Sequence, residues 1–442
     1  MSTNRNTIFK NITSQFTIQI ANYLLPMVSV PIISRIIGPD KFGIINYASA
    51  VVGYFILIVN YGFDLTATRK VAQNKNNSVV ITELFSTILW CKILLFLFTL
   101  ALLLICFAIF PVFVAEWRVM VYSYIFIISL VITPNWLYQG MQELNRIAIF
   151  NVITKILFTV AVLLAVRTES DYVYYPLIFG LAQIVVGYYS FHYAIRRYNI
   201  KIIRIPFKQT VKILKDEYLV FFSTVVINLY TTTNTVLLGA LANNAQVGYY
   251  SAAIKIVLIV QAIITLPLSS SFFPYVGAAF STSRQEGVKA AQKVLPIVTL
   301  VGFAALAGMV LLGPWALRLF YGDRFMLSIP IFLILSVTPL LIVISNVYAI
   351  QVMVNLMMDR AFLRITAVGA VISIVTNLML IPSNGGVGAA YSLLITELFI
   401  LVACAFYLYR QGINLFTWRY FNLRSIISQA QSVLPRFKKT NS

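Results

Sequence analysis

The chain has 442 residues, of which 60% are hydrophobic and only 10% are charged. A typical soluble domain carries about 25% charged residues, so this chain lacks the polar side chains that would cover a water-soluble globule. Its formal net charge is nevertheless +20. Strong apolarity and strong basicity are compatible when the charges lie in short segments between apolar ones. The composition therefore predicts a polytopic membrane protein and excludes a soluble multidomain enzyme.

The predicted elements are long apolar helices. A membrane-crossing helix needs roughly 20 mainly apolar residues, and polar or Gly/Pro-rich breaks divide the chain into runs of that length. Twelve spans are predicted, with fourteen as the alternative if the tail re-enters the membrane. In chain order they are 13–37, 43–64, 84–109, 117–139, 144–166, 172–195, 217–241, 248–275, 290–320, 327–354, 361–381 and 386–409.

The spans form two sets of six on either side of a basic stretch. This predicts an N-terminal lobe at 1–195, a linker at 196–216, a C-terminal lobe at 217–409 and a basic amphipathic tail at 410–442. The segments Gly43–Ala50 and Gly248–Lys255 are similar and occupy matching places in the two lobes. Because six spans return the chain to the same side, the lobes are expected to form a parallel repeat about a pseudo-two-fold axis.

The distribution of cations indicates the orientation. With the amino terminus in the cytoplasm, 24 of the 33 lysines and arginines lie in cytoplasmic segments and six on the opposite side. Cytoplasmic loops of membrane proteins carry such an excess. Both termini are therefore predicted to be cytoplasmic.

The linker carries cations at spacings of three and four residues, which suits one helical face. Pro206 would either break such a helix or start it. We interpret the linker as a membrane-surface segment attracted to anionic lipids. Nucleic-acid binding is disfavoured because no soluble domain could present the patch. The cations are Lys201, Arg204, Lys208, Lys212 and Lys215.

No enzyme, metal or cofactor motif is recognisable. The chain has a single histidine, His192, and three cysteines whose spacing fits no metal site. No Gly-rich phosphate loop ends in Lys-Ser or Lys-Thr, so transport driven by the chain's own ATP hydrolysis is excluded. The sequence predicts a transporter without catalytic or metal-binding residues.

Three lysines lie inside predicted spans: Lys92, Lys155 and Lys255. A charge near the centre of a membrane helix costs roughly 2.5–3.5 kcal/mol and usually faces protein or a water-filled cavity. Lys155 is about eleven residues into its span, roughly 16 Å deep, so a cavity role is favoured. Snorkelling to the interface is an equal alternative for Lys92 and Lys255. An interior with more lysine than acid suits an anionic solute, and these three are candidate substrate-binding residues.

Acidic and polar residues in the spans give further candidates. Glu397 lies near the middle of the last span, and Asp64 closes the second span five residues before Arg69. These three are predicted to take part in coupling or gating, with a structural ion-pair role as the alternative. Asn228 belongs to a polar stripe of the seventh span and is a candidate substrate-binding residue. A similar stripe in the eleventh span includes Ser373, and helix packing is the favoured role of such stripes.

Prolines inside the spans affect the backbone. Each removes a backbone donor, leaves a carbonyl without its helical partner and permits a kink. They are Pro26, Pro134, Pro267 and Pro339.

Four segments resemble the Wzx-type flippases of the polysaccharide transport family, in the multidrug/oligosaccharidyl-lipid/polysaccharide exporter superfamily. They occur in the same order as in that family, and the similarity runs from the first span to Glu397. The segments are PIISRIIGP at 31–39 followed by Phe42-Gly43, NYGFDLTATR at 60–69, PNWLYQG at 134–140 with Glu143, and SNVYAIQ at 345–351.

The resemblance implies a bacterial inner-membrane protein that flips undecaprenyl-diphosphate-linked oligosaccharides of an O-antigen or capsule pathway. It also implies two lobes around a cationic cavity. It supports Arg35 as a substrate-binding residue and Asp64 as a coupling or gating residue. A proton gradient, a sodium gradient or the membrane potential is the expected source of energy. Polymerase and chain-length proteins of the pathway are the expected partners. The rival predictions are a cation-coupled exporter of small molecules and a membrane polymerase or ligase.

Overall fold

The computed structural model describes residues 26–268 and 272–422, except for the side chains of residues 26–28, 219–220, 223–224, 226–231 and 266–267. Within this part of the chain there is no β-strand. Nine helical segments in the same part are long and apolar enough to cross a membrane. The predicted all-α polytopic class is confirmed. The twelve-span count and the repeat of two lobes stay predictions.

The chain divides into two compact units, Met1–Asn228 and Leu229–Ser442. A 3₁₀ turn at Glu169–Val173 lies in the first unit, before its eighth helix. The helices of the first unit are α1 (Pro26–Asn60), α2 (Phe63–Gln73), α3 (Ser78–Ile109), α4 (Pro111–Ala115), α5 (Trp117–Ile132), α6 (Asn135–Gly140), α7 (Leu144–Ala165), α8 (Tyr174–Arg197) and α9 (Phe207–Asp216).

The next helix, α10 (Tyr218–Leu241), crosses the boundary between the two units. A π-helical stretch at Val347–Val354 continues the fifth of the helices named below. The helices that follow in the second unit are α11 (Asn244–Pro267), α12 (Phe273–Thr282), α13 (Arg284–Tyr321), α14 (Ser328–Leu335), α15 (Thr338–Asn346) and α16 (Asp359–Arg410).

Polar side chains cap the first turns of three long helices. The Asn77 side chain accepts a hydrogen bond from the Val80 amide at the start of α3, and Asn243 does the same for α11. Ser283 caps α13 by accepting from the Glu286 amide at 3.1 Å. Each cap satisfies a backbone donor that has no partner within the helix. These residues therefore fix where the polar loops end and the spans begin.

Glycines break the two longest helices into separate segments. Gly38 interrupts α1 with φ of 70°, at the predicted boundary between the first and second spans. Gly385 interrupts α16 with φ of 55° and ψ of −130°, between the predicted eleventh and twelfth spans. The Gln246 side chain accepts a 2.9 Å hydrogen bond from the Gly386 amide. Both breaks need a backbone conformation that other residues rarely adopt.

The core of each unit is built from side chains of several helices. In the first unit Tyr138 is fully buried, and its hydroxyl donates to the Ser190 carbonyl at 2.6 Å. In the second unit the buried core includes Val294 and Val343, and it continues to Leu415 beyond the last long helix. The described part of the predicted tail thus packs on the second unit, and the Arg284 side chain also bonds the Gln411 carbonyl at 2.9 Å. Residues 423–442 of that tail lie outside the described residues.

The linker docks against the first unit. Pro206 starts α9, so Lys208, Lys212 and Lys215 lie on a helix. Lys201 and Arg204 precede Pro206 in non-helical chain, so these two residues are not part of the helical face that their spacing suggested. All five cations are exposed.

Hydrogen bonds to α3 hold the docked linker. The Ile203 amide donates to the Ser86 hydroxyl at 3.0 Å, and the Trp90 indole donates to the Ile203 carbonyl at 3.2 Å. The backbone of the linker is therefore fixed to protein while its cations remain available.

Candidate functional site

Lys92 of α3 is buried against the end of α5. Only 3% of its surface is exposed, and its Nζ donates a 2.9 Å hydrogen bond to the Leu130 carbonyl. That carbonyl is four residues before Pro134, which has no N–H to donate to it. The lysine thus replaces the missing helical donor and places a positive charge at a helix C-terminus, where it is stabilising. A contribution of Lys92 to substrate binding stays a prediction.

Lys155 is partly buried beside an aromatic ring, and its role in a cavity stays a prediction. It lies on α7, and its Nζ is 5.5 Å from the centre of the Phe179 ring. In the part of the chain that the structure describes, the ammonium group makes neither a hydrogen bond nor an ion pair. A cation over an aromatic face gains about 0.5–2 kcal/mol, which is less than a buried charge requires. Lys155 is therefore able to accept an anionic partner.

Phe179 also lines a cleft. The cleft has a volume of about 120 Å³ and is formed by side chains of α1, α5 and α8, including Ser49, Ser123 and Tyr175. The Phe179 ring stacks on Phe126, with ring centres 5.2 Å apart. The cleft and Lys155 thus share one aromatic wall within the first unit.

The residues predicted at span ends are exposed. Arg35 lies on α1 just before the Gly38 break. Asp64 and Arg69 lie on α2, which follows a left-handed turn at Tyr61 and Gly62. The Asp64 carboxylate is near enough to Lys92 to interact with it electrostatically. Asp64 thus lies near one of the three predicted lysines. The roles of Asp64 and Arg69 in gating and of Arg35 in substrate binding stay predictions.

In the second unit, Lys255 lies on α11 and is partly buried. Glu397 lies on the last segment of α16 with 6% of its surface exposed. Among the described residues Glu397 forms no hydrogen bond or ion pair. Asn228 lies in α10, but its side chain is outside the described residues.

The polar stripe of the eleventh span holds helices together. Asn234 of α10 is fully buried and accepts hydrogen bonds from Ser373 at 3.2 Å and Asn377 at 2.5 Å. Thr376 and Ser392, on the two segments of α16, are 2.6 Å apart through their hydroxyl oxygens. These bonds confirm that helix packing is the role of this stripe. The partner Asn234 was missed because nothing in its local sequence distinguishes it from its neighbours.

Two of the four recognised motifs pack against each other. The Thr68 hydroxyl donates to the Trp136 carbonyl at 3.2 Å. A Cβ atom at Gly140 would come within 2.6 Å of the Val71 side chain and 2.9 Å of the Thr68 carbonyl oxygen. Gly140 is therefore required for the close approach of α6 to α2. These motif residues have a packing role that sequence reasoning did not assign.

An ion pair joins α2 to the end of the linker. Lys70 Nζ is 2.5 Å from Glu217 Oε1, and the Glu217 side chain is 9% exposed. The Tyr61 hydroxyl donates to the Leu214 carbonyl at 2.9 Å, and its ring stacks on Phe221 at 4.5 Å. The left-handed turn before α2 is thus clamped to the linker. Sequence analysis missed this contact because its partners are about 150 positions apart.

A second cluster surrounds Glu143, the acidic residue of the third motif. Its carboxylate pairs with Arg146 and Arg197, each at 3.6 Å, and so connects α7 to the end of α8. Burial raises the pKa of the nearby Tyr198 hydroxyl, and the Glu143 charge raises it further. The role of the cluster is therefore structural.

The described residues contain no group of His, Cys, Asp and Glu suited to holding a metal ion.

Solved structures define the class of protein. Lipid II flippase MurJ, in an inward closed conformation, matches with a TM-score of 0.72 and 12% identity over 96% of this chain and 91% of that one. An inward-facing multidrug resistance MATE family transporter of the MOP superfamily also matches with a TM-score of 0.72, at 16% identity over 89% and 94%. The chain is a multi-pass membrane protein with the fold of this superfamily.

Sequence comparisons identify the family. The model described as "Polysaccharide biosynthesis protein" matches residues 8–280, and the chain belongs to that family. The Putative O-antigen transporter of Escherichia coli (strain K12) is 28% identical over 90% of this chain and 95% of its own length. That of Shigella dysenteriae is 25% identical over 89% and 98%. These relatives confirm the resemblance seen in the four motifs.

Proposed function

We propose that the protein is a flippase. It moves undecaprenyl-diphosphate-linked oligosaccharide repeat units, of an O-antigen or capsule pathway, from the cytoplasmic to the periplasmic leaflet by alternating access. The observation that carries this proposal is the similarity to two putative O-antigen transporters over about nine tenths of the chain. The fold supports it, because a lipid II flippase has the same one.

Lys155 supplies the electrostatics that this substrate needs. A diphosphate headgroup carries its charge through the hydrocarbon layer only if a polar or cationic path replaces water. Among the described residues, the Lys155 ammonium group packs on an aromatic face and makes no hydrogen bond or ion pair, so pairing with phosphate oxygens would compensate its own burial. Arg35, Lys255 and Asn228 are proposed as further substrate-binding residues.

The proposed location is the bacterial inner membrane with both termini in the cytoplasm. The excess of lysine and arginine in alternate loops supports this orientation. The exposed cations of α9 then lie at the cytoplasmic surface, where they attract anionic lipids. Polymerase and chain-length proteins of the pathway are proposed as partners on the periplasmic side.

An ion gradient is the proposed source of energy, with protons or sodium as the ion. Glu397 is the buried acidic residue of the second unit, and intramembrane carboxylates commonly serve such roles. Asp64 and Arg69 are proposed to act in gating, because both lie on α2, which directly follows the left-handed turn that separates it from α1.

A cation-coupled exporter of small molecules is the second candidate. The MATE-like fold and the buried Glu397 favour it. Such an exporter would bind cationic drugs, and resistance to them would fall in a deletion strain. Three lysines inside the spans argue for an anionic substrate instead.

Deletion of the gene followed by lipid analysis tests the proposal. We expect one undecaprenyl-diphosphate oligosaccharide to accumulate on the cytoplasmic leaflet, where a membrane-impermeant reagent cannot reach it in intact spheroplasts. Expression of the wild-type chain should reverse the accumulation. If the deletion strain has normal surface polysaccharide and loses drug resistance, the flippase proposal is rejected and the exporter proposal is favoured.

A further inference from the structure

Three loops of the first unit meet at one end and enclose a cleft of about 570 Å³. They are the turn after Gly38, the connection from α3 to α5 and the turn before α8. We call this space the outer cleft. It shares no lining residue with the cleft beside Phe179. Its volume is within the roughly 300–1,000 Å³ of small-molecule sites. Its chemically active lining residues are Lys41, Glu116, Trp117, Arg118, Glu169 and Tyr172.

The walls of the outer cleft are held in place by their own polar contacts. The Tyr172 hydroxyl donates a 2.7 Å hydrogen bond to Glu116 Oε2, and the Lys41 ammonium group lies 4.6 Å from the centre of the Tyr172 ring. These contacts connect all three loops. A ligand would therefore meet a largely formed surface, which lowers the ordering cost of binding.

The turn that carries Tyr172 is itself rigid. The Asp171 carboxylate accepts hydrogen bonds from the Thr168 amide at 2.7 Å, the Thr168 hydroxyl at 2.8 Å and the Arg167 amide at 3.1 Å. Such a reciprocal cap fixes the first turn of a helix. The position of Tyr172 in the cleft thus follows from the sequence of its own turn.

The charges of the outer cleft are balanced. Lys41 and Arg118 supply two cations, and Glu116 and Glu169 supply two carboxylates. A phosphate-binding site would have an excess of cations, and a site for apolar molecules would lack the carboxylates. A neutral ligand with many hydroxyl groups fits this set, because hydroxyls donate to carboxylates and accept from ammonium and guanidinium groups.

Trp117 adds the second element of a sugar site. Half of its surface is exposed, and the Arg118 guanidinium lies 5.6 Å from its ring centre. The apolar C–H face of a pyranose packs on an aromatic ring while the hydroxyls at its edge reach neighbouring polar groups. An exposed indole beside two carboxylates and two cations provides both kinds of contact.

We propose that the outer cleft binds neutral sugar rings of the transported oligosaccharide. This inference rests on the proposed function and orientation, under which these three loops face the periplasm. The cleft then engages the glycan on the side of the membrane to which it is delivered. Trp117 stacks on a ring, and Glu116 and Arg118 hydrogen-bond its hydroxyls.

Binding of defined trisaccharides to the full-length protein in nanodiscs of phosphatidylethanolamine and phosphatidylglycerol tests this proposal. Saturation-transfer NMR with maltotriose, mannotriose and triacetylchitotriose gives the affinity of each probe. We expect at least one to bind, and Trp117→Ala and Arg118→Gln each to weaken it tenfold or more. Trp315→Ala is the matched control, since Trp315 is 65% exposed in the second unit, and it should bind as the wild type does.

Several results would overturn the proposal. They are no binding of any neutral trisaccharide, equal binding by Trp117→Ala and wild type, or tighter binding of glycerol phosphate, which would assign the cleft to lipid headgroups. The thermal unfolding temperatures of Trp117→Ala and Arg118→Gln, which should equal that of the wild type, check that a loss of binding is not misfolding. The two proposals separate cleanly. If a trisaccharide binds but the deletion strain accumulates no lipid-linked oligosaccharide, the flippase proposal alone is refuted. If the lipid-linked oligosaccharide accumulates but no trisaccharide binds, the sugar-binding proposal alone is refuted.

Discussion

The Lys92 ammonium group donates to the Leu130 carbonyl at 2.9 Å and so completes a helix end that Pro134 leaves without a donor. A hydrogen bond from a charged group is worth about 1.5–3 kcal/mol. We expect Lys92→Met to lower the thermal unfolding temperature of the purified protein. Its transport should fall only in proportion to the folded protein present in the membrane.

A double-mutant cycle with Pro134→Ala tests the mechanism, because alanine restores a backbone N–H. The loss caused by Lys92→Met should be smaller in the Pro134→Ala background than in the wild type. If Lys92→Met instead keeps full stability and abolishes transport per folded molecule, then Lys92 binds substrate and its capping role is secondary.

Lys155 is expected to behave differently, because within the described part of the chain it packs on an aromatic ring and forms no ion pair. Lys155→Ala and Lys155→Glu should reduce transport at least tenfold in a complementation assay, with little change in protein level. Lys155→Arg should retain a substantial part of the activity because it keeps the charge. Lys75→Ala, in the polar turn before α3, is the control. Full transport by both Lys155→Ala and Lys155→Glu would remove Lys155 from the substrate path.

Glu217 is expected to fasten the linker to α2 through Lys70. Glu217→Ala removes the partner of Lys70 and leaves a cavity at a largely buried position. Because Lys70 is 40% exposed, solvent screens the ion pair and reduces the loss of stability. We expect Glu217→Ala to destabilise the protein by about 1–2 kcal/mol. The swap of Lys70→Glu with Glu217→Lys should recover part of this loss. Thermal unfolding of the single and double variants measures the coupling, and strictly additive effects would mean that the pair does not stabilise the linker.

The apolar runs predicted the helices well because long hydrophobic segments are required by the membrane itself. The breaks at Gly38 and Gly385 coincide with predicted span boundaries, since glycine marks both in the sequence. Long-range pairing could not be predicted in this way. Lys92 and Pro134 were each identified as unusual, yet nothing in one sequence says that the lysine of α3 reaches the carbonyl that the proline leaves unpaired.

The linker shows the same limit. Its basic residues were recognised from their spacing, and their exposure follows from their charge. The docking of Ile203 on Ser86 and Trp90 depends on backbone groups, which every residue has, so no sequence signal marks it. The outer cleft was missed for a related reason. Its residues come from three loops that only the packed helices bring together.

Gly385 is expected to be intolerant of any side chain. Its φ of 55° disfavours other residues, and a Cβ would come within 2.8 Å of Gln246 Oε1. Gly385→Ala should therefore lower the unfolding temperature through both backbone strain and a steric clash with Gln246. Gly412→Ala is the matched control, because Gly412 has φ of 73° and no neighbouring atom within 4 Å. It should show only the backbone cost of about 1–2 kcal/mol. Equal losses for the two variants would mean that the Gln246 contact yields without cost.

Glu397 offers the sharpest test of ion coupling. It lies inside α16 with 6% of its surface exposed, and Glu397→Gln keeps its volume while removing the titratable group. We expect this variant to fold normally and to lose the stimulation of transport that an imposed proton or sodium gradient gives the wild type in proteoliposomes. Asp359→Asn, at the exposed start of the same helix, should keep that stimulation. A Glu397→Gln variant that responds to both gradients as the wild type does would exclude this carboxylate as the coupling group, and the membrane potential would then be the driving force to measure.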